Sequence, residues 1–234
     1  MTVTERFFGS FDLLIETLSA EIAAELDAGV AANGAASLVC AGGTTPFPLY
    51  EALSKAPIGW DKVGITLSDE RWADTDSPAS NEGGLRKRLL VNAAAPARLV
   101  PFMTAHATPQ EAEAEVGAAV ATLALPFDVV VLGMGTDGHT ASLYPNAPGL
   151  QAALDVSDPA LVRGVKAVGA QGSENRMTLS LRGLLNARKI RIVVKGQDKL
   201  EAYRWAQSDG PVEEAPVRAI LRQTETPVEF CWAP

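Results

Sequence analysis

The run from Phe127 to Leu132, FDVVVL, constrains this chain more than any other segment. A strand covered on one face alternates apolar and polar residues. A strand buried on both faces reads as an unbroken apolar run, so this segment predicts a central strand of a parallel sheet. Behind it comes GMGTDGHTASLYP, a glycine loop with an expected helix start. Gly133, Gly135 and Gly138 allow backbone angles that other residues resist. Asp137 and His139 sit in that loop, at the carboxyl end of the strand, the edge where open α/β sheets bind ligands. An acid and an imidazole placed there point to proton chemistry.

Gly133, Gly135 and Gly138 also satisfy G-x-G-x-x-G, the dinucleotide fingerprint. That reading fails on context. The fingerprint needs an acid closing a second strand about 20 residues on, to hold a ribose. Asp155 and Asp158 lie near that distance, but LQAALDVSDP around them is no strand. Asp137 would also set a carboxylate beside a pyrophosphate, against like-charge repulsion.

The rest of the chain alternates strands with helices. Phe11 to Leu26 carries Leu14, Leu18, Ile22 and Leu26 at helical spacing. Ser37 to Ala41 is a strand. Gly42-Gly43-Thr44-Thr45-Pro46 turns the chain into a helix reaching about Lys55, with Pro46 in its first turn. Val63 to Ser68 is a strand ending at Asp69-Glu70-Arg71-Trp72. Ser80 or Asn81 caps a helix through Leu90, and Thr108 caps one over Pro109 to Leu123. Strands follow over Arg163 to Val168, Arg176 to Leu181 and Ile190 to Val194. Helices over Asp198 to Ala206 and Pro216 to Leu221 and a strand over Pro227 to Phe230 complete the chain. This order predicts an α/β fold, a doubly wound, mostly parallel sheet with helices on both faces. No repeat or linker divides the 234 residues, so one domain over 1–234 is expected.

A net charge of −8 argues against non-specific binding to nucleic acid or anionic membrane. Any anionic substrate must therefore meet a local cluster of bases. Cys40 and Cys231 make no disulfide framework, and Cys40 lies in an apolar run as a small hydrophobe. The start lacks the order of a signal peptide, and no apolar stretch approaches the roughly 20 residues of a membrane span. A cytoplasmic protein is expected, with no obligate protein partner evident. No Cys/His cluster has metal-ligand spacing, so no metal and no cofactor is expected. There is no G-x-S-x-G elbow and no Walker loop.

Four segments offer chemistry at strand ends. AGGTTP presents backbone N–H groups at a helix start, with the hydroxyls of Thr44 and Thr45, either as a phosphate cradle or as a plain tight turn. In SDERW, Arg71 either forks onto a phosphate or pairs on the surface with Asp69 or Glu70. In TDGHTAS, His139 either transfers protons or caps a helix. His106, in a polar connection, is read as structural. Arg176 and Lys199 read singly as solvated bases. Joined with AGGTTP they supply the positive charges and N–H donors that a phosphate near charge −2 requires.

At this point the chain resembles the 6-phosphogluconolactonases. The likeness runs in order through AGGTTPFPLYEAL, ITLSDERWADTDSPASNEGGLRKRLL, FDVVVLGMGTDGHTASLYPN and NRMTLSLRGLLNARKIRIVVKGQDKLEA. That family belongs to a wider sugar-phosphate fold with glucosamine-6-phosphate deaminases and a likeness to ribose-5-phosphate isomerases. The resemblance implies hydrolysis of 6-phosphogluconolactone to 6-phosphogluconate in the oxidative pentose phosphate pathway. It implies His139 as base and Arg71, Arg176 and Lys199 as phosphate or substrate contacts. Where the family usually carries prolines before that arginine, this chain reads VGAQGSENR.

A lactone is an activated ester and needs no covalent nucleophile. A neutral His139 can take a proton from attacking water, with Asp137 orienting the imidazole or the water. Backbone N–H groups of the Gly133–Gly138 loop, or of the expected helix start, would hold the oxyanion. Two rival functions are weighed. The related deaminases need an extra carboxylate shortly after the loop histidine, but TASLYPN has no acid before Asp155. A sugar-phosphate sensor would need a DNA-binding module, whereas the residues before the first expected strand read as one acidic helix.

Overall fold

The structure is a computed structural model that describes residues 3–170 and 172–234. Met1, Thr2 and Gln171, the last inside the VGAQGSEN connection, lie outside the described residues.

Seven strands form one sheet: β1 (Thr4–Phe7), β2 (Ala36–Cys40), β3 (Val63–Leu67), β5 (Arg98–Val100), β6 (Val129–Leu132), β9 (Ile190–Lys195) and β10 (Val228–Ala233). Their spatial order is β1-β10-β9-β6-β2-β3-β5, and every pairing in it is parallel. Residues of β2 and β6 are buried throughout, which is why their sequences run apolar without alternation. The Phe127 to Leu132 strand thus begins two residues later, with Phe127 forming only an isolated bridge to Ala187.

Three shorter strands, β4 (Asp69–Arg71), β7 (Val162–Lys166) and β8 (Asn175–Leu179), form a second sheet, antiparallel, in the order β4-β8-β7. Two strands expected in the main sheet therefore belong elsewhere. Alternating burial cannot reveal which sheet a strand joins; the partner does. Ser68 makes the change of sheet: its N–H donates to Cys40 in the main sheet at 2.9 Å, and its carbonyl accepts from Leu179 at 2.8 Å.

The long helix α1 (Phe11–Asn33) starts at Ser10, whose Oγ accepts from Leu13 N–H at 3.1 Å, and stops at Gly34, with φ 77°. Its buried residues Leu14, Leu18, Ile22, Leu26 and Gly29 make the stripe read from the sequence and pack against the sheet. The other helices are α2 (Phe47–Leu53), α3 (Asn81–Arg88), α4 (Pro109–Val120), α5 (Leu150–Leu154), α6 (Leu181–Leu185), α7 (Gln197–Gln207) and α8 (Val217–Arg222). Ser80 rather than Asn81 caps α3, accepting from Gly83 N–H at 3.0 Å. Cys40 and Cys231 are both buried in the core. No helix among the described residues is long and apolar enough to cross a membrane.

The strand order locates the site. From β2 the chain moves to β3 and β5 on one side, then returns to lay β6, β9 and β10 on the other. The reversal falls between β2 and β6. The turns that leave their carboxyl ends diverge there and open a crevice.

Candidate active site

At that crevice lies an open cleft of about 210 Å³. Gly42, Gly43, Thr44 and Thr45 line it from the turn after β2, Asp69 and Arg71 from β4, and Gly133, Gly135 and His139 from the loop after β6. Arg176 of β8 and Lys199 of α7 complete the residues expected from the sequence. Asp137 and Gly138 are not among the lining residues; Asp137 reaches the site through its bond to His139.

His139 and Asp137 form the reactive pair, with Nδ1 to Oδ1 at 2.6 Å. The Asp137 carboxylate also accepts from the His139 backbone N–H at 3.2 Å. Burial pushes the Asp137 carboxyl up, but the hydrogen bond and charge of His139 outweigh it and hold it below the usual carboxylate range. An ionised carboxylate only accepts, so Nδ1 carries the proton and Nε2 of the neutral ring carries a lone pair. Gly135 makes room for this: a Cβ there would stand 2.2 Å from His139 Nδ1 and 2.3 Å from Asp137 Oδ1. Gly138, at φ 78°, packs its backbone against Ala215 and Trp205, and its carbonyl accepts from Val217 N–H at 2.9 Å.

No helix starts behind this loop. His139 to Gly149 runs as turns, and α5 begins only at Leu150. Pro145 and Pro148 lack the N–H that a helix interior needs, and Ala141 and Asn146 take left-handed angles of φ 49° and 52°. The helix-start N–H groups expected to hold an oxyanion are therefore missing. Two of the loop's own N–H groups are engaged within it: Gly135 donates to His139 O at 2.8 Å and Gly138 to Gly135 O at 3.1 Å.

The opposite wall carries charge. Arg71 and Arg176 are register partners across β4 and β8. Like charges directly opposite one another destabilise a strand pair, so this pairing costs stability wherever it is not offset. Arg176 is buried; its Nη1 stands 4.0 Å from Asp69 Oδ2, and its Nε donates to Ser173 O at 2.6 Å. Burial pushes the Arg176 guanidinium down from its ordinary value, and the Asp69 charge works against that. Asp69 also accepts from Ser142 Oγ at 2.6 Å and Ser68 Oγ at 3.1 Å.

The alternative surface pairing of Arg71 with Glu70 does not form. Glu70 turns inward and accepts from the N–H groups of Arg71, Asn81 and Glu82 at 2.7, 2.8 and 2.7 Å. It thereby caps α3, although burial pushes its carboxyl up. Arg71 instead bonds the Ala79 carbonyl. In the turn after β2, Gly43 adopts φ 90° and Pro46 leads into α2, a helix of 7 residues. His106 bonds Thr104 at 3.1 Å and does not line the cleft. Among the described residues no three His, Cys, Asp or Glu side chains are grouped to hold a metal ion.

Residues 10–232 match the family model described as glucosamine-6-phosphate isomerases/6-phosphogluconolactonase. The chain belongs to this family. It is 39% identical to the 6-phosphogluconolactonase of Rhizobium meliloti over 100% of both chains. It is 42% identical to that of Mesorhizobium japonicum, over 94% of this chain and 91% of the other. A crystal structure of a 6-phosphogluconolactonase from Shewanella baltica superposes with a TM-score of 0.95 at 38% identity, covering 99% of this chain and 98% of that one.

Within this member of the glucosamine-6-phosphate isomerase/6-phosphogluconolactonase family, the cleft adds four polar residues that sequence reasoning missed: Ser68, Asn81, Tyr144 and Lys195. Lys195 ends β9 at the carboxyl edge, and that position was a usable signal. Asn81 sends its Nδ2 to the Asp69 carbonyl at 2.8 Å, a contact no local pattern announces. Tyr144 was hidden by the helix expected there; Pro145 was the warning.

Proposed function

We propose that this chain hydrolyses 6-phosphogluconolactone to 6-phosphogluconate, with water activated by His139. The observation that carries the reading is the 2.6 Å bond from His139 Nδ1 to an ionised Asp137, which leaves the Nε2 lone pair as the ring's basic position. Relatives named 6-phosphogluconolactonase at 39% and 42% identity, matched over nearly their whole length, support it.

In this reading Nε2 takes a proton from water as the water oxygen attacks the lactone carbonyl. Asp137 steadies the imidazolium that forms. The tetrahedral oxyanion develops in a cleft lined by four bases, Arg71, Arg176, Lys195 and Lys199, against one acid, Asp69. As it collapses, the ring C–O bond breaks, and the departing oxygen takes the proton back from the imidazolium. The product is the open-chain acid, which ionises and releases one proton to solvent.

The substrate phosphate is assigned to the same wall and to the Gly42–Thr45 turn. The buried Arg71 Nε, which finds no partner among the described residues, is a local cost that a bound anion would offset. The reading uses no metal, so activity should survive chelation.

Acid release measured against the phosphorylated lactone, with spontaneous hydrolysis subtracted, tests the proposal. Glucosamine 6-phosphate serves as control. Ammonia from the amino sugar, or no acceleration with the lactone, would overturn it.

A further inference from the structure

Burial does not hold the Asp137–His139 pair in place. Their side chains keep 49% and 28% of their surface exposed, and water competes with a bond between such groups. One hydrogen bond at Nδ1 also leaves the imidazole free to swing. A second restraint is present. The ring of Tyr144 stacks on the imidazole, with centroids 4.1 Å apart and planes 20° from parallel.

The backbone forces this contact. Thr140 Oγ1 donates to Gly133 O at 2.8 Å, and Leu143 N–H donates to Thr140 O at 2.9 Å. Ala141 supplies the left-handed angle that closes the turn. Leu143 is fully buried beneath it, and Ser142 is tied to Asp69. Residue 144 is thereby folded back over residue 139. Tyr144 itself is half-buried and lines the cleft, so its ring shapes the site rather than filling the core. The Arg176 guanidinium lies over the same ring, 5.8 Å from its centroid.

We propose that Tyr144 is a positioning residue whose ring, stacked on His139, keeps Nδ1 on Asp137 and Nε2 turned to the cleft. The proposal rests on the general-base reading of His139 and names what makes that base ready. An aromatic stack of ordinary strength shifts a rotamer population by roughly 2- to 13-fold. Losing it should lower turnover by up to that factor, because only the aligned rotamer reacts.

Tyr144→Leu and Tyr144→Phe separate the ring from the hydroxyl. The leucine variant should lose up to roughly 13-fold in kcat with KM nearly unchanged. The phenylalanine variant should regain most of that loss. The imidazole nitrogens give a readout independent of turnover. The chain has 2 histidines, so nitrogen-15 spectra of histidine-labelled protein resolve His139 from His106. Wild type and Tyr144→Phe should show His139 as one Nδ1–H tautomer, and Tyr144→Leu an averaged signature. Unchanged turnover or an unchanged signature in Tyr144→Leu would overturn the proposal, as would a phenylalanine variant that behaves like leucine. If the leucine variant melts early, Tyr144→Met replaces it. If wild type proves inactive on the lactone, the function assigned above fails while the nitrogen spectra still decide the role of Tyr144.

Discussion

The Gly135 backbone lies so close to the imidazole of His139 that a Cβ on Gly135 would stand 2.2 Å from Nδ1. The atoms it would strike belong to two half-exposed side chains, which can move aside at small cost to the fold. They cannot do so and keep their mutual bond. Gly135→Ala should therefore leave the melting temperature within a few degrees of wild type while kcat falls on the order of 10²-fold, the low end for a lost general base. Thermal melts beside lactone turnover check this. A variant that keeps its turnover would show that the pair tolerates displacement.

His139→Ala should lower kcat by roughly 10²–10⁴-fold with little change in KM, since the imidazole acts on water rather than on the substrate's binding groups. Asp137→Asn should also slow the reaction, because an amide can present a donor to Nδ1 and favour the wrong tautomer. The pH dependence follows from the shift on Asp137. Its folded-state value is lowered, so it stays ionised to lower pH than a free carboxylate does. The acid limb of kcat/KM then reports one proton, taken up by the imidazole, with a limiting slope of one. A slope of two would mean that Asp137 titrates alongside it.

Much of this site could be read before the fold. The Asp137–His139 spacing, the glycines around it and the bases Arg71 and Lys199 all stand near ends of strands whose burial shows in their composition. The second sheet could not be read. Asp69 to Arg71 looks like the polar tail of β3, and only pairing with β8, distant in sequence, makes it a strand that sets Arg71 opposite Arg176. Edge strands β1 and β5 escaped notice for a related reason. They are short and partly exposed, so neither shows an unbroken apolar run. The helix start expected after His139 is absent because Pro145 and Pro148 lack the N–H that a helix interior needs, and the chain runs as turns to Gly149.

Arg71→Ala and Lys199→Ala should each weaken capture of the phosphorylated lactone by about 10- to 150-fold, the equivalent of one charge-assisted bond of roughly 1.5–3 kcal/mol. Unphosphorylated gluconolactone should be a poor substrate whose rate neither change affects. Comparing kcat/KM for both lactones checks the assignment. An equal loss on both would place the residue in the chemistry or the fold instead of at the phosphate.

A second charge cluster makes the stability of the chain depend on acidity. Arg191, 1% exposed, bonds Glu25 at 2.5 and 2.9 Å, Glu229 at 2.9 Å and Glu21 at 3.3 Å. Arg6 joins Glu21 and Glu229, and Lys189 joins Glu25. The Arg6 bond holds the Glu21 carboxyl below its ordinary value against burial. For Glu25, burial is the larger single influence and pushes upward, but the Arg191 and Lys189 bonds together prevail and lower it. A carboxyl lowered by folding contributes stability that is fully present above its unfolded value, about 4.3 for Glu. That contribution is lost as pH falls through the folded values, which lie lower still. Urea midpoints should therefore hold steady from neutrality to about pH 5 and drop steeply below it. Arg191→Met removes the buried partner and leaves three carboxylates facing Arg6 and Lys189 alone. It should cost about 3–5 kcal/mol at neutral pH and flatten the acid dependence, because Glu25 then has less to lose on protonation. A variant as stable as wild type at neutral pH, with an unchanged acid slope, would show that solvent already screens the cluster.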